Sequence, residues 1–140
     1  MGESKKDRVL IVEDSDLVLR LLFEILSPYF DIEWVLDGWD AIDRLQRGKK
    51  YDLIITNQIM PHMDGIEFIK KVREMLPSIP ILVFTDNRYG FDLIRTGANQ
   101  FIQKPFRILP FLRTVRRLLG YNDTDEELID KIVHHDRRNR

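Results

Sequence analysis

The sequence predicts an α/β domain built on a doubly wound, five-stranded parallel sheet. Three observations predict it. Five short apolar runs recur along the chain, segments of helical period separate them, and acidic, amide, hydroxyl and lysine residues cluster just after the runs. With 140 residues the chain is long enough to bury one proper core.

The runs fall at residues 8–12, 32–36, 52–56, 80–84 and 100–103. Leu10-Ile11-Val12, Leu53-Ile54-Ile55 and Ile81-Leu82-Val83-Phe84 are apolar on both faces, as expected of central strands covered above and below by helices. Ser15 is placed to cap a first helix carrying Leu17, Leu21, Leu22 and Ile25 on one face. Asp37 precedes a shorter helix with Ala41 and Leu45, closed by Gly48. Asp64 and Glu67 stand at capping-box spacing ahead of Ile66, Ile69 and Val72. Pro77 and Pro80 end that helix and lead into the fourth strand. A last helix spans 106–119, with Pro110 in its first turn and Gly120 past its end. Right-handed crossovers then predict the strand order 2-1-3-4-5.

The chain divides into a polar tail (1–7), the α/β domain (8–120) and an extension (121–140). In the extension Thr124 and Glu127 repeat the capping-box spacing, and Leu128, Ile129, Ile132 and Val133 form an apolar stripe. Arg137 and Arg138 follow where cations suit a helix dipole. A helix over 124–136 is too short to stand alone in water, so its stripe is expected to bury against this domain or a second copy.

Composition narrows the function. There are 22 basic and 23 acidic residues, so no bulk field favours a polyanion. Cysteine is absent, which removes disulfides and thiolate metal sites. No apolar run approaches the roughly 18 residues of a membrane span, and the N-terminus lacks a signal-peptide pattern. A cytoplasmic protein with no membrane or direct nucleic-acid partner is expected. Arg107, Arg113, Arg116 and Arg117 crowd the last helix without interleaved aromatics, and read as a solvated face or a dock for an acidic partner. His62 reads as a solvated loop residue, and His134-His135 as helix-end decoration rather than a metal site.

In a doubly wound sheet, ligands sit beyond the carboxyl ends of the strands. Glu13-Asp14, Asn57, Thr85 and Lys104 all lie there, on four different strands. Together with Val9-Leu10-Ile11-Val12, Met60-Pro61-His62-Met63-Asp64-Gly65, Gly97-Ala98 and Phe101-Ile102-Gln103-Lys104-Pro105, these residues give the chain a resemblance to response-regulator receiver domains of two-component signalling, of the chemotaxis-regulator type. The resemblance covers 8–119 and implies a flavodoxin-like fold and a phosphoryl-accepting site that is not itself an enzyme. It implies an Mg²⁺ ion held by Asp14 directly, by Glu13 through water, by the residue at position 57 and by the carbonyl of Ile59. It further implies Lys104 and Thr85 as phosphoryl-binding groups. Phe101 becomes a reporter on the face made by the fourth helix, fifth strand and last helix, where a sensor histidine kinase or other signalling protein would bind. Phe101 reads equally well as core.

Asn57 departs from the family pattern, because it stands where the acceptor aspartate belongs. An amide is neutral and a poor nucleophile, so phosphorylation is not expected and Mg²⁺ should bind weakly or not at all. Two readings stay open: a pseudo-receiver acting through protein contacts, or an ordinary phosphoacceptor carrying an Asp-to-Asn change. A second departure lies between Thr85 and Gly97, a stretch about one helical turn short. There Asp86 either crowds the phosphoryl position or caps the fourth helix. A small-ligand-binding flavodoxin-like protein is a third reading, opposed by Glu13-Asp14-Ser15-Asp16 where a phosphate loop would need glycines. A homodimer through the tail helix is a further possibility.

Overall fold

The computed structural model describes residues 5–86 and 90–138, the last three by their backbone alone. Strands and helices alternate: β1 (Arg8–Val12), α1 (Asp16–Leu26), β2 (Asp31–Val35), α2 (Gly38–Gln46), β3 (Leu53–Asn57), α3 (Gly65–Met75), β4 (Ile81–Thr85), α4 (Gly90–Thr96), β5 (Gln100–Gln103), α5 (Ile108–Leu118) and α6 (Asp125–Arg138). All strand pairs are parallel, in the expected order β2-β1-β3-β4-β5. The three runs that are apolar on both faces are the three central strands, β1, β3 and β4.

Alternate residues of these strands feed two cores. Leu10, Val12, Ile54, Ile81 and Val83 pack under α2, α3 and α4 through Ala41, Ile42, Phe68, Ile69, Val72 and Leu93. Val9, Ile11, Leu53, Ile55, Leu82 and Phe84 pack under α1 and α5 through Leu22, Leu26, Phe111, Leu112 and Val115. Period-two alternation on a strand makes both faces apolar when both are covered.

Several boundaries move by a residue or two. β3 ends at Asn57 rather than Thr56, because Asn57 still pairs with Phe84 of β4. β4 ends at Thr85, whose carbonyl accepts the Lys104 amide at 2.8 Å. α5 begins at Ile108, not 106. Phe106 instead packs against Phe84 and Phe111 at centroid distances of 4.9 and 5.1 Å. The Lys104-Pro105 peptide before it is cis.

The expected face of α1 is corrected. Leu17 is 79 % exposed and Leu21 43 %, while Leu19, Leu22 and Leu26 are buried. Positions 19, 22 and 26 lie within about 60° of one another on a helical wheel, and Leu17 lies on the opposite side. Ser15 does cap the helix, its hydroxyl accepting from the Val18 amide at 3.4 Å. Asp37 and Asp64 cap α2 and α3 through the Asp40 and Glu67 amides.

α6 docks on the α1–α5 side. Only half of its stripe is used: Leu128 is fully buried and Ile132 packs against the same core, whereas Ile129 and Val133 remain exposed. Positions 128 and 132 share a line along the helix, and 129 and 133 lie about 100° round from it. Two of the arginines read as a solvated face or a dock for an acidic partner instead hold this helix through acids of the same chain. Arg113 pairs with Asp125 at 2.9 and 3.0 Å, and Arg116 with Asp123 at 2.6 and 2.8 Å. Arg116 also lies 3.9 Å over the Tyr121 ring, and the Tyr121 hydroxyl donates to Asp7 at 2.6 Å. The side chains of Arg137 and Arg138 lie outside the described residues.

Candidate functional site at the carboxyl ends of the strands

The β1–β3 register aligns Val12 with Thr56, so Glu13 and Asn57 leave the sheet side by side. The amide of Glu13 donates to the Val35 carbonyl at 3.0 Å, which keeps its backbone on the sheet for one more residue. Its side chain is then directed inward and is 3 % exposed, beside an Asn57 that is 4 % exposed.

Glu13 and Asn57 are in direct contact. Asn57 Nδ2 donates to Glu13 Oε2, and the Ser15 amide donates to Glu13 Oε1 at 3.0 Å. A carboxylate only accepts, so the amide must present its NH₂ to Glu13. The Asn57 carbonyl oxygen, Oδ1, is thereby left buried with no hydrogen-bond partner. A buried charge normally requires a cation or several donors. Here two neutral donors, one from the first helix's N-terminus and one from Asn57, hold it.

Asp14 turns outward and is exposed at the mouth, as is Ile59. Thr85 is buried at the end of β4, and its hydroxyl donates to Gln58 Oε1. Gln58 itself is anchored through its backbone, its amide donating to the Phe84 carbonyl at 2.9 Å and its carbonyl accepting from Gly65 at 2.6 Å. A Cβ at Gly65 would lie 2.8 Å from the Gln58 Cα, so only glycine lets this turn close. Lys104 is half-buried and tied by its amide to Thr85. On the rim, the Trp39 indole donates to the His62 carbonyl at 3.3 Å, and His62 adopts a φ of 68°.

The structure thus brings Glu13, Asn57, Thr85 and Lys104 to one end of the sheet, with Asp14 and Ile59 on its rim. Two contacts were not foreseen from the sequence. The Glu13 carboxylate touches Asn57 directly. Gln58, legible in the sequence only by its place directly after Asn57, holds the Thr85 hydroxyl. Phe101 lies away from this cluster and is half-buried, its ring packed so closely on Gly90 that a Cβ there would meet it at 2.4 Å. Phe91 meets it edge-on at 5.8 Å. Asp86 is exposed, and the residues that join it to α4, 87–89, lie outside the described residues. Among the described residues no group of three His, Cys, Asp or Glu could hold a metal, and His134 pairs with Asp130 at 3.1 Å. No described helix is long and apolar enough to cross a membrane.

Oxygen donors suit Mg²⁺, and the site has them in the exposed Asp14 carboxylate and the orphaned Asn57 Oδ1. Both Glu13 oxygens are already hydrogen-bonded, so the donor set fits the ion with one carboxylate fully available.

Residues 9–116 match the family model described as the response regulator receiver domain. The chain is 34% identical over 126 residues to Transcription factor SKN7 of Chaetomium thermophilum, covering 86% of this chain and 16% of that protein. It is 32% identical over 127 residues to Response regulator ArlR of Staphylococcus aureus, covering 88% of this chain and 57% of that one. The chain therefore spans only part of the length of these relatives. A crystal structure of the signal receiver domain of a signal transduction histidine kinase from Syntrophus aciditrophicus superposes with a TM-score of 0.73 at 33% identity, covering 84% of this chain and 94% of that one.

Proposed function

This chain belongs to the response regulator receiver-domain family, and from that premise we propose that it is a receiver that acts through protein contacts without accepting a phosphoryl group. The observation that carries this reading is the hydrogen bond from Asn57 Nδ2 to Glu13. In this reading Asn57 occupies the phosphoacceptor position. Its nitrogen lone pair is delocalised into the carbonyl, and its NH₂ is committed to a buried carboxylate. Neither this nitrogen nor the neutral Oδ1 is the anionic oxygen that phosphoryl transfer needs. The same bond stabilises the buried Glu13 charge where a cation would otherwise balance it.

Mg²⁺, when bound, supplies positive charge beside phosphoryl oxygens. Asp14, Asn57 Oδ1 and the Ile59 carbonyl are the groups that would hold it, with Glu13 acting through water. With one anionic ligand fewer, binding should be weak. Lys104 and Thr85 keep the residue types that would receive phosphoryl oxygens, but Thr85 already has an acceptor in Gln58.

Signalling would then rest on the surface. Receiver domains work with histidine kinases and other signalling proteins, and the face formed by α4, β5 and α5 is the one we assign to such a partner. Phe101, packed on Gly90 and Phe91, belongs to that face. The second reading, an ordinary phosphoacceptor altered at one position, is favoured by the retention of Asp14, Thr85 and Lys104.

The test is intact mass after incubation with acetyl phosphate and Mg²⁺. The unmodified chain should show no adduct. A phosphate adduct on it would overturn the proposal. If Asn57→Asp gains one phosphate, position 57 is the acceptor position and its amide the barrier; if it gains none, the site has diverged beyond that one residue.

A further inference from the structure

The opposite end of the sheet carries a second feature unrelated to the Asn57 cluster. A groove of about 590 Å³ opens at the amino ends of β1 and β3, lined by Lys5, Lys6, Asp7, Arg8, the turn Gly48-Lys49-Lys50, Tyr51 and Asp52. The volume falls within the usual range for small-molecule sites. The segments that form it are 40 residues apart in sequence and meet because Arg8 and Asp52 bond through their backbones at 2.7 Å.

Its charge is unbalanced. The two acids are occupied: Asp52 accepts from the Arg8 amide at 2.7 Å, and Asp7 accepts from the Tyr121 hydroxyl at 2.6 Å. Arg8 is also occupied, by Glu33 and by the face of Tyr51 at 5.4 Å. Lys49 has only a 4.0 Å approach to Glu33. Lys5, Lys6 and Lys50 make no ion pair among the described residues. Neutral donors leave both carboxylates charged, but the lining still sets four ammonium groups and the Arg8 guanidinium against only Asp7 and Asp52, and it remains net positive even after Glu33 is counted against Arg8. Tyr51, in the wall, has a buried hydroxyl with no hydrogen-bond partner, a state that normally costs stability.

We propose that this groove binds a small, multiply charged phosphate compound of the di- or triphosphate class. Lysines on flexible stems act as point charges and suit compact groups of high charge density, which several ammoniums can share. An extended acidic peptide suits the groove less well. Such peptides gain affinity by pairing with a free strand edge, and β1 and β3 are central strands paired on both sides.

Inorganic triphosphate is the probe, titrated into the full chain at low salt and followed by backbone amide shifts. The expected result is saturable shifts confined to residues 5–8 and 48–52. Replacing Lys49 and Lys50 together by Ala should weaken binding about fivefold, the order expected for two exposed charge contacts, with the urea midpoint unchanged. Equimolar sulfate should shift these amides far less. Three results would each overturn the proposal: no saturation by millimolar triphosphate, shifts spread equally over lysines elsewhere such as Lys70 and Lys71, or an oligoglutamate peptide that binds the groove more tightly than triphosphate. A double variant that binds as well as the parent would also overturn it.

Discussion

Replacing Asn57 by Asp should turn the bond at the centre of the site into a repulsion, and the size of the effect can be worked out. Asn57 Nδ2 is a donor to Glu13 Oε2, and both side chains are at least 96 % buried. Losing a hydrogen bond to a charged group costs about 1.5–3 kcal/mol. Two carboxylates about 4 Å apart repel by about 4 kcal/mol at an effective dielectric constant of 20. The sum is capped, because the pair can relieve itself by taking up one proton. For an ordinary carboxyl that uptake costs about 4 kcal/mol at pH 7 and about 1 kcal/mol at pH 5. The expected loss of stability is therefore about 2–4 kcal/mol at pH 7, shrinking to about 1 kcal/mol at pH 5. The sign follows from linkage: the folded variant holds a proton that the unfolded chain has released, so its stability falls as pH rises. Mg²⁺ should recover part of the loss in the variant and do little for the parent. Urea unfolding of both proteins at pH 5 and pH 7, with EDTA and with 10-fold steps of Mg²⁺, measures all of this. A variant as stable as the parent at pH 7 in EDTA would refute the claim that the Asn57 amide stabilises the Glu13 charge, and so would an equal loss at both pH values.

Leu128→Ala removes the one fully buried side chain among the described residues of α6 and should cost about 2–3 kcal/mol, at the low end for core truncations because a surface helix can resettle. Amide exchange should show α6 opening while β1, β3 and β4 stay protected. The bidentate Arg116–Asp123 pair, whose side chains are only 12% and 8% exposed, predicts an acid-sensitive term. The hydrogen bonds from Arg116, aided by its charge, hold the Asp123 carboxyl below its usual 3.8. Its contribution is complete above about pH 4 and disappears as pH falls through the depressed value. Urea midpoints should therefore separate the parent from Asp123→Asn by about 1.5–3 kcal/mol at pH 6 and converge towards pH 2; a gap independent of pH would rule out the charge-based account.

What the sequence determined by itself was the order and kind of the elements. Leu53-Ile54-Ile55 and Ile81-Leu82-Val83-Phe84 are apolar at every position, and only strands covered on both faces tolerate that. The caps at Ser15, Asp37 and Asp64 could be read because capping is local, involving a side chain and an amide three residues on. The convergence of Glu13, Asn57, Thr85 and Lys104 followed from topology, since every parallel strand delivers its carboxyl end to the same side. The tertiary structure decided what depends on rotation and register. Leu17 and Leu21 looked like core, but α1 turned Leu19, Leu22 and Leu26 to the sheet. Half of the α6 stripe stayed outside for the same reason: a helix surface has more apolar positions than a single line of contact can cover. Two adjacent acids, Glu13 and Asp14, are equivalent in sequence. One further bond to β2, from the Glu13 amide to Val35, directed the first inward to Asn57 and left the second in solvent. The basic groove was illegible for a related reason: residues 5–8 and 48–52 are unremarkable apart, and only the β1–β3 register joins their lysines into one field.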